Sequence, residues 1–380
     1  MKRQSATLVA LMLLYILQSS EVNCQFTRKE NVFIDNKTGR ANVFHGVNAI
    51  FKTTPFLPIT DKFDPFNGLN EDDIPYFQKW GFNFIRLGLL WEAHETGPDQ
   101  WDSNYINEIE KIVNMLGKSG IYTLIDAHQD AGARLFCGEG IPGHYGEGVP
   151  TNCDHTPIGA FAQKAGICKS IKDFPISYDK DGYPIPSTCQ KTDFGEYYTS
   201  PEVVTLFTRL YTNWQHPKMK TGMIDQFAKH WNLVAKKFVD NPYVVGYDLL
   251  NEPMIGGLYD DLAASISGEN DKHMLMPMYQ KLSKAIREVD NNKIIMFEGS
   301  LTRSVFADSV NNWIDSNLVK GHVGFTERPS SPETVLIPKE VSNIHSYCSH
   351  DIKDAEFCAN THRNNIKVGM EDADRLGKTG

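Results

Sequence analysis

Val244-Val245-Gly246-Tyr247-Asp248-Leu249-Leu250-Asn251-Glu252-Pro253 is the stretch that decides the fold. Pro242 stands just before it and Pro253 closes it. Its apolar beginning does not alternate, the pattern of a parallel strand covered on both faces. The run ends at an amide beside a carboxylate, fixed by a proline. That puts Asn251 and Glu252 at the carboxyl end of a strand, where α/β barrels gather their chemistry. A solvated turn glutamate has no need of an apolar strand feeding it.

The flanking segments alternate in the same sense. Val43 to Ala49 reads as a first strand, and Asn70-Glu71-Asp72-Asp73 as an acidic helix start followed by Ile74, Phe77 and Trp80. Asn83 to Gly88 is a second strand with a single arginine, Arg86, inside it. Tyr105 to Leu116 places Ile106, Ile109, Ile112, Val113 and Leu116 on one helical face. Ile121 to Ala127 is a third strand, ending at His128-Gln129-Asp130. Ile224, Phe227, Trp231, Val234, Ala235 and Phe238 share a helix face before the opening strand, and Tyr279, Leu282, Ile286 and Val289 mark the helix after it. Lys293 to Glu298 is a fifth strand and Val341 to Ile344 a sixth, ending at His345-Ser346-Tyr347; Arg363 to Leu376 is a polar helix. Alternation at this pitch implies a parallel sheet or barrel, here about six βα units of a (β/α)8 (TIM) barrel.

The pattern breaks from Ala131 to Thr221, which is rich in Gly, Pro and Cys, with helical character from Pro201 to Trp214. A long excursion after a strand's carboxyl end reads as a disulfide-rich insertion over the active-site face. Its Gly138-Glu139-Gly140-Ile141-Pro142-Gly143 opens no helix after a strand, so it is not a dinucleotide site. Asp179-Lys180-Asp181-Gly182 lacks the later ligands of a calcium loop and reads as a turn.

The chain has 380 residues, 41% of them hydrophobic, and a net charge of -9, which argues against a nucleic-acid partner. Met1-Lys2-Arg3 followed by the apolar Leu8 to Leu17 reads as a secretory signal over residues 1–24, leaving a domain over 25–380. No later stretch is apolar enough to span a membrane. Without Cys24, six cysteines remain: Cys137, Cys153, Cys168, Cys189, Cys348 and Cys358. With no Cys-x-x-Cys, disulfides within the first four and between the last two are the expectation, rather than a zinc site. Asn36-Lys37-Thr38 is a glycosylation sequon. A secreted protein, or one of the lysosomal or endosomal lumen, fits these features.

Arg86, His128, Asp130, Asn251, Glu252, Glu298, His345 and Tyr347 all fall at strand ends and would meet at one barrel mouth. Each alone has a bland reading: a strand arginine usually pairs structurally, and a lone histidine is usually a satisfied core residue. Together, and with no phosphate loop, no G-x-S-x-G and no H-E-x-x-H, they fit glycoside hydrolysis.

Asn83-x-x-Arg86-Leu87, Asn251-Glu252-Pro253 and His345-x-Tyr347, in this order, resemble the family 5 glycoside hydrolases. Asn48-Ala49-Ile50-Phe51-Lys52, Asp126-Ala127-His128-Gln129-Asp130, Arg134-Leu135-Phe136-Cys137-Gly138 and Tyr247 to Pro253 are similar to the endoglycoceramidases within them. The resemblance implies retaining hydrolysis of the β-linkage between glycan and ceramide in glycosphingolipids, without cofactor or metal. A lipid-presenting activator or detergent-like molecule would then be a possible partner. It makes Glu252 the acid/base, Asn251 the reader of a sugar hydroxyl, and Arg86 and Tyr347 the groups that hold the nucleophile. His345, Lys52, His128 and Asp130 become hydroxyl-reading or supporting groups, His345 among the catalytic set and the other three on the substrate side.

The resemblance also implies a nucleophilic glutamate on a seventh strand beyond His345-x-Tyr347, whereas the sequence ends at Lys378-Thr379-Gly380. A partial or C-terminally truncated chain, lacking its nucleophile, is the expectation; Glu298 is a weak substitute because it belongs to the fifth strand. The alternatives are a β-glucosidase or β-glucanase of the same family, and a truncated, non-catalytic glycolipid-binding protein.

Overall fold

The computed structural model describes residues 25–29, 32–260, 268–300, 321–347 and 355–377. Cys24, Cys348 and the signal stretch lie outside them.

Six parallel strands form the centre: β1 (Gly46–Ala49), β2 (Phe84–Gly88), β3 (Tyr122–Asp126), β4 (Val244–Asp248), β5 (Ile294–Phe297) and β6 (Glu340–Ser342). They lie side by side in chain order, each hydrogen-bonded in parallel to the next. That order, with helices on the connections, is six consecutive βα units of a (β/α)8 barrel. All five residues of β4 are buried, as its unbroken apolar run requires. Gly246 allows the close approach of β5: a Cβ there would lie 2.3 Å from the Ile294 carbonyl oxygen.

The helices include α1 (Ile74–Lys79), α2 (Ser103–Lys118), α3 (Pro201–Tyr211), α4 (Met223–Phe238), α5 (Met276–Arg287) and α6 (Ala355–Arg375); further short ones lie in the loop after β2 and in the insertion. The apolar faces of α2, α4 and α5 are buried as their spacing predicts, with Val113, Trp231 and Leu282 at 0% exposure. They cover the outward residues Ile85, Leu87, Ile125, Tyr247, Ile295 and Phe297 of the strands. Trp231 also donates its indole N–H to the Leu249 carbonyl at 3.2 Å, tying α4 to the end of β4. Truncating such a buried aromatic costs about 3–5 kcal/mol.

A small antiparallel sheet of Phe26–Lys29, Val32–Asp35 and Ala41–Asn42 stands at the other end of the strands. Phe26 packs with Val245, Ile294 and Val341, flanked by Phe33, Phe44, Phe84 and Tyr122, near the residues where the barrel strands begin. The sheet therefore plugs the barrel floor and leaves the opposite mouth for chemistry.

The Cys-rich insertion follows β3. Cys137 pairs with Cys189 and Cys153 with Cys168, so the four cysteines of that group bond among themselves, as expected. Cys358 is also disulfide-bonded. The acidic stretch at Asp179 is a turn: its carboxylate accepts the backbone N–H groups of Asp181 and Tyr183, each at 2.9 Å.

Candidate active site

Beyond β4 the backbone leans alternately on its two neighbours. Leu249 donates to the Met296 carbonyl at 3.0 Å, Asn251 to the Ala127 carbonyl at 3.1 Å, and Glu252 to the Glu298 carboxyl at 2.9 Å. Gln129 completes the hold, donating its side-chain amide to the carbonyls of Asn251 at 2.7 Å and Glu252 at 2.9 Å. This matters because Glu252 has φ +42°, the left-handed region. A non-glycine residue there carries strain of about 1–3 kcal/mol and persists only when its surroundings fix it. The Asn251–Glu252 backbone is fixed from both sides.

The Glu252 carboxyl is buried and accepts two hydrogen bonds on Oε1, one from Tyr347 Oη and one shared with His345 Nδ1 at 2.7 Å. His345 Nε2 lies 3.6 Å from Glu298 Oε1. One imidazole thus separates the two glutamate carboxyls. Burial opposes charge on His345, but Glu298 and Glu252 outweigh it and push the ring up to about 9. Burial raises Glu298 above the ordinary carboxyl range, with Asp248 adding to it.

Arg86 sits beneath. It donates to Asp248 at 2.9 Å, Asp126 at 2.8 Å and the Asn251 side-chain oxygen at 3.1 Å. Burial works against its charge, and the two aspartates more than restore it. Asn251 donates in turn to the Gln129 carbonyl at 3.0 Å. Asn343 donates to Asp248 at 2.8 Å and lies 3.2 Å from His345 Nε2, closing a ring of contacts back to Glu252.

Lys52, His128 and Asp130 form the second half of the mouth. His128 bridges Asp126 at 2.8 Å and Asp130 at 3.3 Å; burial opposes its charge, and the aspartates push it up to about 9. Asp130 also accepts from Lys52 and, at 2.9 Å, from Tyr198 of the insertion. Burial would raise Asp130, but His128 and Lys52 hold it below the usual carboxylate range. Glu139, raised by burial, lies 3.1 Å from the Lys52 ammonium. His128, Asp130 and Glu139 each bring a ligand atom within 4.8 Å of the others, the spacing of a metal centre. Lys52 already places a cation against both carboxyls.

All the strand-end residues named from the sequence therefore share one network, joined through Asp126, which serves both Arg86 and His128. Gln129, Asp126, Asp248 and Asn343 were not assigned roles, although a buried strand arginine calls for acidic partners. Glu139 and Tyr198 come from the insertion, where spacing gives no signal. Asn36 is exposed and its side-chain oxygen accepts from Thr27 at 2.8 Å.

A sequence model of the cellulase family, glycosyl hydrolase family 5, matches residues 54–171 and 202–376. The chain belongs to glycosyl hydrolase family 5. Among relatives of this family, it is similar to the endoglycoceramidase of Hydra vulgaris, 33% identical over 336 residues, covering 86% of this chain and 56% of that protein. It is also similar to the endoglycoceramidase of Cyanea nozakii, 34% identical over 263 residues, covering 69% of this chain and 48% of that protein. The chain spans about half the length of these curated relatives. A solved structure of endo-glycoceramidase II from Rhodococcus sp., in complex with ganglioside GM3, superimposes with a TM-score of 0.60 at 22% identity, covering 92% of this chain and 68% of that one. This likeness establishes the family 5 barrel fold. The gap between the two matched stretches, residues 172–201, falls within the Cys-rich insertion.

Proposed function

We propose that this protein acts in retaining hydrolysis of the β-glycosidic bond between oligosaccharide and ceramide in glycosphingolipids. The observation that carries the reading is the Glu252 carboxyl, held by His345 and Tyr347 beside Asn251 at the barrel mouth. Relatives named endoglycoceramidase, and a neighbour solved with ganglioside GM3, support the choice of substrate.

In this reading Glu252 protonates the leaving oxygen of the ceramide and then takes a proton from the attacking water. The imidazole of His345 bridges to Glu298, so proton movement at Glu252 is felt by a group one contact away. Asn251, its side-chain oxygen engaged by Arg86 and one amide hydrogen by the Gln129 carbonyl, keeps its second amide hydrogen for a substrate hydroxyl. Lys52, His128 and Asp130 read further hydroxyls. Retaining chemistry needs a second carboxylate about 5 Å from the first. Asp126, Asp248 and Asp130 are engaged with Arg86, His128 or Lys52, and Glu298 with the Glu252 backbone. We assign the nucleophile to a carboxylate outside the described residues, and Glu298 to positioning.

The disulfides favour an oxidising setting, extracellular or lumenal, with a glycan on Asn36. Among the described residues no helix is long and apolar enough to cross a membrane. A lipid-presenting activator or detergent would then deliver the ceramide.

Product analysis tests the reading. Incubating the full-length protein with a ganglioside and detergent should release intact oligosaccharide and ceramide, leaving cello-oligosaccharides uncut. Cleavage of cello-oligosaccharides with the ganglioside intact would favour a β-glucanase. Glycolipid binding without turnover, unchanged in Glu252→Gln, would favour a binding protein.

A further inference from the structure

Next to the catalytic mouth lies a cavity of about 690 Å³ that the mechanism does not use. Lys52 and Glu139 line its inner end, and Arg134, Asp179, Gln190 and Phe194 line the outer part. We propose that this cavity is an outer glycan subsite, which takes the sugars farthest from the scissile bond and sets the preferred head group. The proposal deepens the glycosphingolipid reading and rests on it for the direction in which the glycan runs.

Three observations carry it. The first is continuity. Lys52 and Glu139 belong both to the polar cluster and to the cavity, so a glycan whose inner hydroxyls reach Lys52 and Asp130 continues into this space. Phe194 is packed edge-on against Tyr198 at 5.5 Å, and Tyr198 holds Asp130, so the cavity wall and the cluster are mechanically joined.

The second is chemistry. Phe194 is 50% exposed, an aromatic surface on which the C–H face of a sugar ring can lie. Around it stand an ammonium, a guanidinium, carboxyl groups and an amide, donors and acceptors suited to hydroxyls. Pro184, Pro186 and Tyr197 make much of the wall apolar beside Phe194, and Lys52, Arg134, Glu139 and Asp179 interrupt it where a ceramide chain would ask for continuity. The volume lies in the range of about 300–1,000 Å³ typical of small-molecule sites.

The third is where the wall comes from. Asp179, Gln190 and Phe194 all fall in residues 172–201, which the family model leaves unmatched. The Cys137–Cys189 disulfide also lines the cavity and fastens this segment to the loop after β3. Cleavage chemistry thus sits on the barrel that the family model matches, and the outer wall of this cavity on a segment that it does not, the division expected of a specificity site. Arg134 is held over the Tyr183 ring at 3.6 Å and donates to Thr54 at 3.0 Å, which keeps the mouth of the cavity in shape.

Calorimetry tests the proposal, with lactose and a linear tetrasaccharide built on lactose as probes. The 380-residue protein should bind the tetrasaccharide at least tenfold more tightly than lactose. Phe194→Ala and Gln190→Ala, both at exposed positions, should each erode that margin, Phe194→Ala by about tenfold. Equal affinity for the two sugars, no binding of either, or a margin that survives both substitutions would overturn it. The ceramide conjugates of the same glycans are assayed in parallel on the same protein. A retained binding margin without hydrolysis would contradict the glycosphingolipid reading and leave the subsite standing. Hydrolysis with no margin for the longer glycan would do the reverse.

Discussion

The Glu298 carboxyl accepts the backbone N–H of Glu252 at 2.9 Å, so the end of β5 holds the candidate acid of β4 by its main chain. Glu298→Gln keeps an oxygen in the acceptor position, whereas Glu298→Ala removes it. If Glu298 positions, the glutamine variant should retain most of kcat and the alanine variant should lose about 100-fold, the usual penalty for a catalytic group displaced by an ångström. If instead it were the nucleophile, both variants would be equally dead, and azide would restore turnover with a glycosyl azide product.

Gln129 makes the complementary contact, one amide serving the carbonyls of Asn251 and Glu252. Gln129→Ala leaves two buried carbonyls unpaired, at about 1–3 kcal/mol each. It also frees the left-handed backbone at Glu252 to relax. Steady-state kinetics should show kcat falling with KM nearly constant, because Gln129 supports the acid and does not touch the sugar. A rise in KM alone would show that it binds substrate.

The raised groups among the buried residues predict stability that is lost as pH rises above neutrality. Burial raises Glu139 and Glu298, so the folded chain keeps protons that the unfolded chain releases above about 4.3. Burial is outweighed at His128 and His345, which stand at about 9 against an unfolded value near 6.5. In both cases the folded state binds more protons, so stability falls as pH rises. The histidine contribution is complete below about 6.5 and disappears as pH climbs through 9. Asp130 acts in the opposite sense below the ordinary carboxylate range, and His94 and His230, held neutral by burial, do so below about 6.5. Thermal melting from pH 6.5 to 9.5 should show Tm declining by several degrees as His128 and His345 lose their protons. A Tm that rose across this range would contradict the assignment.

The barrel was legible in the sequence where burial is two-sided or one-faced. β4 shows no alternation because all its residues are covered, and Ile109, Trp231 and Leu282 repeat at helical spacing because only one face of each helix meets the sheet. The floor sheet was not legible: its strands are at most four residues long, and Phe26 finds its partners more than two hundred residues away in Val245 and Ile294. The last helix begins at Ala355, eight residues before the spacing suggested, since it buries only Gly369, Asp372 and Ala373 and so lacks an apolar stripe.

The site divided in the same way. Arg86, Glu252 and His345 were visible because polar residues ending apolar strands are conspicuous. The grip on Glu252 was not, because Gln129 and Glu298 act on its backbone from two other strand ends, and adjacency across a barrel leaves no spacing in the chain. Tyr198 reaches Asp130 only through the fold of the disulfide-bonded insertion.

Protonation of the leaving group by Glu252 is the centre of this account, and it is tested most directly by pairing two substrates in Glu252→Gln. One is a glycosphingolipid, whose ceramide alkoxide needs a proton; the other is an aryl glycoside of the same glycan, whose activated phenolate does not. The account predicts that kcat on the glycosphingolipid falls by about 10²–10⁴-fold, while formation of the glycosyl-enzyme from the aryl glycoside, read as a burst of phenolate, stays near normal. Near-normal turnover of the glycosphingolipid by Glu252→Gln would contradict it.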